Sequence, residues 1–531
     1  MNKDTLYNAV SVYRKSRVNA LYFRNKTIDF KTFLSRVDEM ADKLYHLGVR
    51  KESVVSLLSP NVPEAIIALY ALSKIGATMS LLHPLLPKKI LEESLLETKT
   101  DFLLILDVLK KNYDGIDLPK TYYLSALLDL DPLSKLFFPL VYSKQLKGID
   151  KTRYLHRIKH VPESFGTNED ADRGSILLRS GGTTGKSKTV LCNEHGINFV
   201  TRQSEKILCH PCKGHSMIGV LPVFHGFGLA MGIHAPLANE AASCLMISYD
   251  GKEIVRKIKE DKINVLLTIP YMADKLLKEK GFRGKKLRNL LSTFIGADKT
   301  ELSLFRLFDE RMKESGSVNR LLEGYGLTET ITVNFVNTLK ENKVGSVGKP
   351  LDGVLLRIVE GEDYETDIGP DKVGRILISS PSVCLGYLNT PEEGQPFHYD
   401  KDGRKWLVTG DIGYRDKDGY LFFVNREKDV FKIAGYNVFP SEIEKMTNDY
   451  PEVHNSAAIP IKDKKHPYVV LYVRKEGKTK EKEFVEGLKS YLQDRLIRYS
   501  LPEKIVLVDE FPRTDIGKID RRKLEELERK E

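Results

Sequence analysis

Ile176-Leu177-Leu178-Arg179-Ser180-Gly181-Gly182-Thr183-Thr184-Gly185-Lys186-Ser187-Lys188 joins a short apolar run to a loop of glycines, hydroxyls and lysines. The apolar run reads as a strand. A loop at a strand end is where α/β proteins bind ligands. Glycines let the backbone approach an anion with its N–H groups turned inward, and the hydroxyls and lysines add donors and charge. The Walker pattern G-x-x-x-x-G-K-[ST] does not fit. Counting back from Gly185-Lys186, the first glycine would be residue 180, which is Ser180. The stretch alone leaves a phosphate loop and a plain turn both open.

The surrounding pattern supports an α/β reading. Phe30 to Leu47 carries apolar residues at helical spacing and stops at Gly48, and Pro63 to Ile75 does so before Gly76. Ser53 to Leu58 and Thr78 to Leu82 read as strands between and after them. This alternation argues for a largely parallel sheet covered by helices. From Gly374 to Val424 strand signals dominate, with turns at Asp402-Gly403 and Asp418-Gly419. Mixed helix and strand return afterwards, with a strand at Val469–Val473 and an amphipathic helix from Phe484 to Leu496. The domain division expected is 1–427 and 428–531.

Composition narrows the class. The 531 residues are 41% hydrophobic and 29% charged, which suits a multidomain globular chain. The N-terminus opens no signal peptide, and no run reaches the ~18 apolar residues of a spanning helix. Five cysteines imply no disulfide framework, and a cytoplasmic setting is expected. Cys209-His210-Pro211-Cys212 has redox spacing without the strand–helix context, and His215 nearby leaves a metal open. The net charge of +10 comes without the basic blocks or zinc spacing of a nucleic-acid binder, so nucleic acid is not an expected partner. Leu127 to Tyr142, with Phe137-Phe138-Pro139-Leu140, reads either as a helix or hairpin packed on the core or as a membrane-facing or acyl-entry surface.

Five further segments resolve the loop. They are Gly324-Tyr325-Gly326-Leu327-Thr328-Glu329, Thr409-Gly410-Asp411, Asn425-Arg426-Glu427-Lys428-Asp429, Lys432 to Glu444, and Pro512-Arg513-Thr514-Asp515-Ile516-Gly517-Lys518. In this order they resemble the adenylate-forming superfamily of acyl- and aryl-CoA synthetases, adenylation domains and luciferases, from about residue 30 to Arg522. The resemblance implies an α/β fold: a large N-terminal domain of α/β sheets plus a β-barrel, with a small mobile α+β C-terminal domain. It implies ATP, Mg²⁺ and CoA as cofactors and a carboxylic acid as substrate. A carrier-protein thiol is the alternative acceptor.

Roles follow from the resemblance, residue by residue. Ser180, Gly181, Gly182, Thr183, Thr184, Gly185, Lys186 and Lys188 would hold the β- and γ-phosphates. Tyr325 would stack on adenine against Gly296, Ala297 and Asp298. Thr328 would bond the α-phosphate and Glu329 would hold the metal. Asp411, helped by Arg426, would accept the ribose hydroxyls. Lys518 would bridge carboxylate and α-phosphate, Lys428 would be the hinge, and Gly435 would line the pantetheine tunnel. Two departures stand out: Ser187-Lys188-Thr189 replaces the common Pro-Lys-Gly, and Lys299 stands where a small residue is usual.

Leu221-Pro222-Val223-Phe224-His225-Gly226-Phe227-Gly228 resembles the segment carrying the acyl-pocket gate, and His225 is the expected gate. Gly228, Ala230 and Gly232 are small enough to leave room for a chain, although small residues also serve close packing. An aliphatic acid of medium or long chain is the expected substrate. A peripheral membrane contact is kept open by the Leu127–Tyr142 segment.

Overall fold

The computed structural model describes residues 4–180, 188–298, 300–361, 364–427, 431–433, 436–461, 467–514 and 517–529. Two large sheets form the body. The first has seven strands in the order Gly386–Tyr387, Thr189–Asn193, Gly174–Arg179, Thr78–Leu82, Val54–Leu58, Phe102–Leu106 and Lys120–Leu124. Pairing is parallel from Gly174–Arg179 to Lys120–Leu124 and antiparallel on the other side. The second has nine strands, with Ser216–Gly219, Val265–Thr268, Ser292–Ile295 and Leu321–Gly326 in parallel at its centre.

The helix Pro63–Ile75 shows why the sheets pack as they do. Pro63 starts it at the first turn, and Gly76 ends it in the left-handed region with φ +86°. All but one of its residues are buried. A helix apolar all round cannot sit at a surface. It lies within a continuous core that draws side chains from both sheets, including Leu57 from one and Leu245 from the other.

The unit expected as a barrel is an antiparallel sheet of five strands, Leu355–Val359, Gly374–Ser379, Phe397–Tyr399, Lys405–Arg415 and Leu421–Arg426. The C-terminal unit has a central strand, Tyr468–Lys475, between Val453–Ile461 and Lys504–Leu507. Helices Pro440–Asn448, Glu481–Gln493 and Arg521–Glu528 cover it. It has hydrophobic cores of its own. The helix expected over Phe484 to Leu496 thus begins three residues earlier and stops at Gln493.

The reading of Leu127–Tyr142 as packed on the core holds only in part. Leu127–Tyr142 does contain a helix, Pro132–Val141, but none of its residues is buried. Leu127, Leu130 and Phe138 pack on the main core, while Leu133, Leu136, Phe137, Leu140 and Val141 stay exposed. No helix among the described residues is long and apolar enough to cross a membrane. The expected hinge, Lys428, lies outside the described residues, as does Gly435.

Candidate active site

The strands on either side of the glycine-rich loop pair with each other. Gly174–Arg179 pairs antiparallel with Thr189–Asn193, so Arg179 faces Thr189. Ser180 and Lys188 close the neck: the Ser180 N–H donates to the Lys188 carbonyl at 2.9 Å, and the Lys188 N–H donates to Ser180 Oγ at 3.1 Å. A Walker loop opens a helix whose N–H groups face the phosphates. Here the chain returns as a strand, which is the physical reason the Walker spacing fails. Gly181, Gly182, Thr183, Thr184, Gly185 and Lys186 lie outside the described residues.

Beside that neck stands Tyr387, which the sequence reading missed. Its strand pairs with Thr189–Asn193, register Tyr387 to Val190. Its hydroxyl donates to Glu329 Oε1 at 2.8 Å, and the Lys188 ammonium lies 4.1 Å from its ring centroid. Burial and the Glu329 charge push the phenol far above its ordinary range, so it stays a donor. Glu329 sits in the short turn Thr328–Thr330, followed by Ile331 at φ +63°. A lone Gly-Tyr pair carries no signal for this contact; only strand pairing brings residues 58 positions apart together.

Asp411 and Arg426 face each other across the Lys405–Arg415 and Leu421–Arg426 strands. Arg426 Nε is 3.5 Å from Asp411 Oδ1. The Tyr325 hydroxyl donates to Asp411 Oδ2 at 2.5 Å. Burial and this carboxylate raise the Tyr325 phenol well above its usual value. The ring expected to stack on adenine and the carboxylate expected to hold ribose are thus one hydrogen-bonded unit. Ala297, in the expected adenine loop, has φ +71°, an unfavourable conformation for a residue with a Cβ. Gly296 allows that loop against the Gly324 carbonyl, which would lie 3.0 Å from an added Cβ.

The C-terminal unit reaches the same cleft. Arg513 stacks its guanidinium 4.0 Å above the Tyr271 ring and donates to the Gly517 carbonyl. Gly517, at φ +82°, lies against Ile269 and Tyr271. This clamp carries Lys518 into the cleft. Its ammonium is ringed by protein although part of the stem stays open to the cleft. Burial lowers its pKa, while Asp298 and Asp411 pull it back up and Arg426 adds repulsion. His454 near Asp274 at 3.6 Å and Lys278 near Glu476 at 3.6 Å add contacts between the two units.

His225 completes the cluster. Burial, with His83 and Lys518 beside it, lowers its imidazole to about 4. It is therefore neutral near pH 7. Its Nε2 has no hydrogen-bond partner among the described residues. The next residue explains how the segment is held. A Cβ on Gly226 would stand 1.6 Å from the Ile331 carbonyl oxygen, so only glycine lets His225 come beside the Thr328–Ile331 turn.

Gly228 is a correction. An added Cβ would meet the Pro222 carbonyl oxygen at 2.1 Å, so the missing side chain permits close backbone packing and does not open acyl space. Met231, one turn on, lines the cleft with Ile207, Val220, Leu267 and Ile269. The cleft as a whole is about 3300 Å³. That is several times the roughly 300–1,000 Å³ of a single small-ligand pocket, so it has room for more than one substrate. Among the described residues no group of three or more His, Cys, Asp or Glu could hold a metal ion. The Cys209 and Cys212 thiols are unpaired.

Residues 9–388 match the profile of the AMP-binding enzyme family, and residues 442–518 match that of the AMP-binding enzyme C-terminal domain. The chain belongs to the AMP-binding enzyme family. Among curated members it is similar to the long-chain-fatty-acid–CoA ligase of Bacillus subtilis (strain 168), 26% identical over 525 residues, 96% of this chain and 91% of the relative. It is equally similar to the 2-succinylbenzoate–CoA ligase of Listeria monocytogenes, 26% identical over 510 residues and 96% of each chain. Solved AMP-binding folds superimpose over nearly the whole chain. ATP-bound MatB from Rhodopseudomonas palustris gives a TM-score of 0.84 at 20% identity, covering 99% of each chain. The Bacillus subtilis o-succinylbenzoate CoA synthetase, in complex with its acyl-adenylate intermediate, gives 0.77 at 23% identity over 98% of each.

Proposed function

We propose that this AMP-binding enzyme is an ATP-dependent carboxylate–CoA ligase, and that its acid is a medium- or long-chain fatty acid. The observation that carries this reading is Lys518, held by the C-terminal unit beside Asp298, Asp411 and the neutral His225. The ligase names of its relatives support the class.

The chemistry explains the arrangement. A carboxylate resists nucleophilic attack because of its charge. Its oxygen attacks the α-phosphorus of ATP, the bond to pyrophosphate breaks, and an acyl-adenylate forms. A thiol then attacks the acyl carbon and AMP leaves. The first step brings two anions together, and a cation aimed at both lowers that cost. Lys518 is the cation suited to the task, and a neutral His225 adds no charge to the acyl side. We assign adenine to Tyr325, ribose to Asp411 and Arg426, the α-phosphate to Thr328, and the β- and γ-phosphates to the glycine-rich loop.

Glu329 offers a hard oxygen donor, which fits Mg²⁺. A single carboxylate suffices for Mg²⁺ that shares its shell with water and substrate phosphates. The ion would neutralise phosphate charge there. The hinge at Lys428, the Gly435 tunnel and the 427/428 division complete the reading. Five unpaired cysteines support a reducing, cytoplasmic setting.

The apolar arm around Met231 supports an uncharged acyl chain, and each methylene moved there from water contributes about 0.8 kcal/mol. AMP release across a panel of acids, with and without CoA, tests the proposal. Best turnover on a long aliphatic acid with CoA is expected. Preference for an aromatic acid would overturn the chain assignment, and turnover only with a carrier-protein thiol would overturn the acceptor.

A further inference from the structure

We propose that the helix Pro132–Val141 and the basic segment after it form a docking surface for an anionic membrane. The helix presents its apolar side outward. Leu133, Leu136, Leu140 and Val141 are 66–68% exposed and Phe137 is 50% exposed. Its polar residues face the other way: Ser134 and Lys135 are half-buried, and the Ser134 N–H and hydroxyl are held by Asp131. A helix at a water-facing surface has the opposite pattern. Single exposed apolar residues are ordinary, but a contiguous cluster marks an interaction site.

The helix rests on the protein through Phe138, which packs against the main core. It touches the short turn Ala126–Asp129, which follows Lys120–Leu124, the edge strand of the seven-stranded sheet. The presenting surface is therefore fixed to a rigid element while its outer side stays uncovered.

Charge selects the occupant. Residues 132–162 contain seven lysines and arginines and one carboxylate, Asp150. Lys144, Lys147, Lys151, Arg153, Arg157 and Lys159 are all exposed. A second copy meeting this face about a two-fold axis would set the same basic segment against itself. An anionic lipid surface instead receives the apolar side chains and attracts the lysines, the two contributions that drive interfacial helices.

Flotation of the full chain with vesicles tests this, using phosphatidylcholine alone or mixed with phosphatidylglycerol, at low and high salt. Two double variants accompany the wild type: Leu136→Glu with Leu140→Glu, and Lys144→Glu with Lys147→Glu. The wild type should float with the anionic vesicles at least tenfold more than with the neutral ones, and less at high salt. Each double variant should lose at least tenfold of that binding while keeping its melting temperature and its turnover of a short, water-soluble acid. If the leucine variant fails to fold, the lysine variant decides alone. Three results overturn the proposal: no flotation of the wild type, equal flotation with neutral vesicles, or variants that float like the wild type. Self-association abolished by the leucine variant, without vesicle binding, would assign the face to a second copy instead.

Discussion

The Tyr387 hydroxyl donates a 2.8 Å hydrogen bond to Glu329, while the same ring carries the Lys188 ammonium on its face. Tyr387 thereby ties the expected metal carboxylate to the neck of the expected phosphate loop, formed by Ser180 and Lys188. In Tyr387→Phe the ring stays and the donor goes. A hydrogen bond to a charged group is worth about 1.5–3 kcal/mol. The Mg²⁺ concentration for half-maximal activity should therefore rise about tenfold, with the acid KM little changed. A Mg²⁺ titration checks this. An unchanged Mg²⁺ dependence with a lower melting temperature would make the bond merely structural.

Lys518→Ala should slow acyl-adenylate formation about 10²–10³-fold, the cost of losing one donor at developing charge. Thioester formation from preformed acyl-adenylate should fall far less. Pyrophosphate exchange and single-turnover thioester assays separate the two. The cation exists only below its pKa, and burial sets that pKa below the ordinary 10.5. Adenylation should thus decline at alkaline pH before an exposed lysine would titrate.

His225 gives a stability prediction with a defined sign. Its folded value is about 4 against an ordinary 6.5. Above 6.5 both folded and unfolded forms are neutral. Between 6.5 and 4 the unfolded chain binds the proton first, so stability falls as pH falls through that window. The melting temperature of His225→Gln should drop less than that of the wild type between pH 7 and pH 4. Parallel curves would remove His225 as a contributor, leaving the fully buried His234, lowered to about 3, to carry the slope.

Two glycines and a methionine divide packing from specificity. Gly226→Ala puts a Cβ onto the Ile331 carbonyl, and Gly228→Ala puts one onto that of Pro222. Overpacking of this kind costs about 1–3 kcal/mol. Both variants should melt lower and lose activity on all acids alike. Met231→Trp should instead penalise long acids over short ones, since room for one methylene is worth about 1–3 kcal/mol of discrimination. Specificity constants over a chain-length series, read beside melting curves, check all three. A chain-length effect at Gly228 would restore it to the acyl pocket.

The elements legible in the sequence are those whose causes are local. Pro63 and Gly76 bound the helix between them because one suits a first turn and the other a left-handed end. The strands Val54–Leu58 and Thr78–Leu82 are short apolar runs flanked by breakers. Asp411 and Arg426 stand out in the sequence because each lies in a dense short motif, and strand pairing sets them opposite each other in the cleft. The tertiary structure alone decided what depends on distant chain segments meeting. Tyr387 reaches Glu329 through antiparallel pairing, and Gly226 is required by a carbonyl more than a hundred residues away. Lys518 joins His225 only because Arg513 and Gly517 seat the C-terminal unit on Tyr271 and Ile269. The apolar helix Pro132–Val141 has the composition of a core element in either setting; which side faces out is set by Phe138, the side chain that packs on the core. Periodicity records which side chains share a face, while burial depends on what the rest of the chain brings against that face.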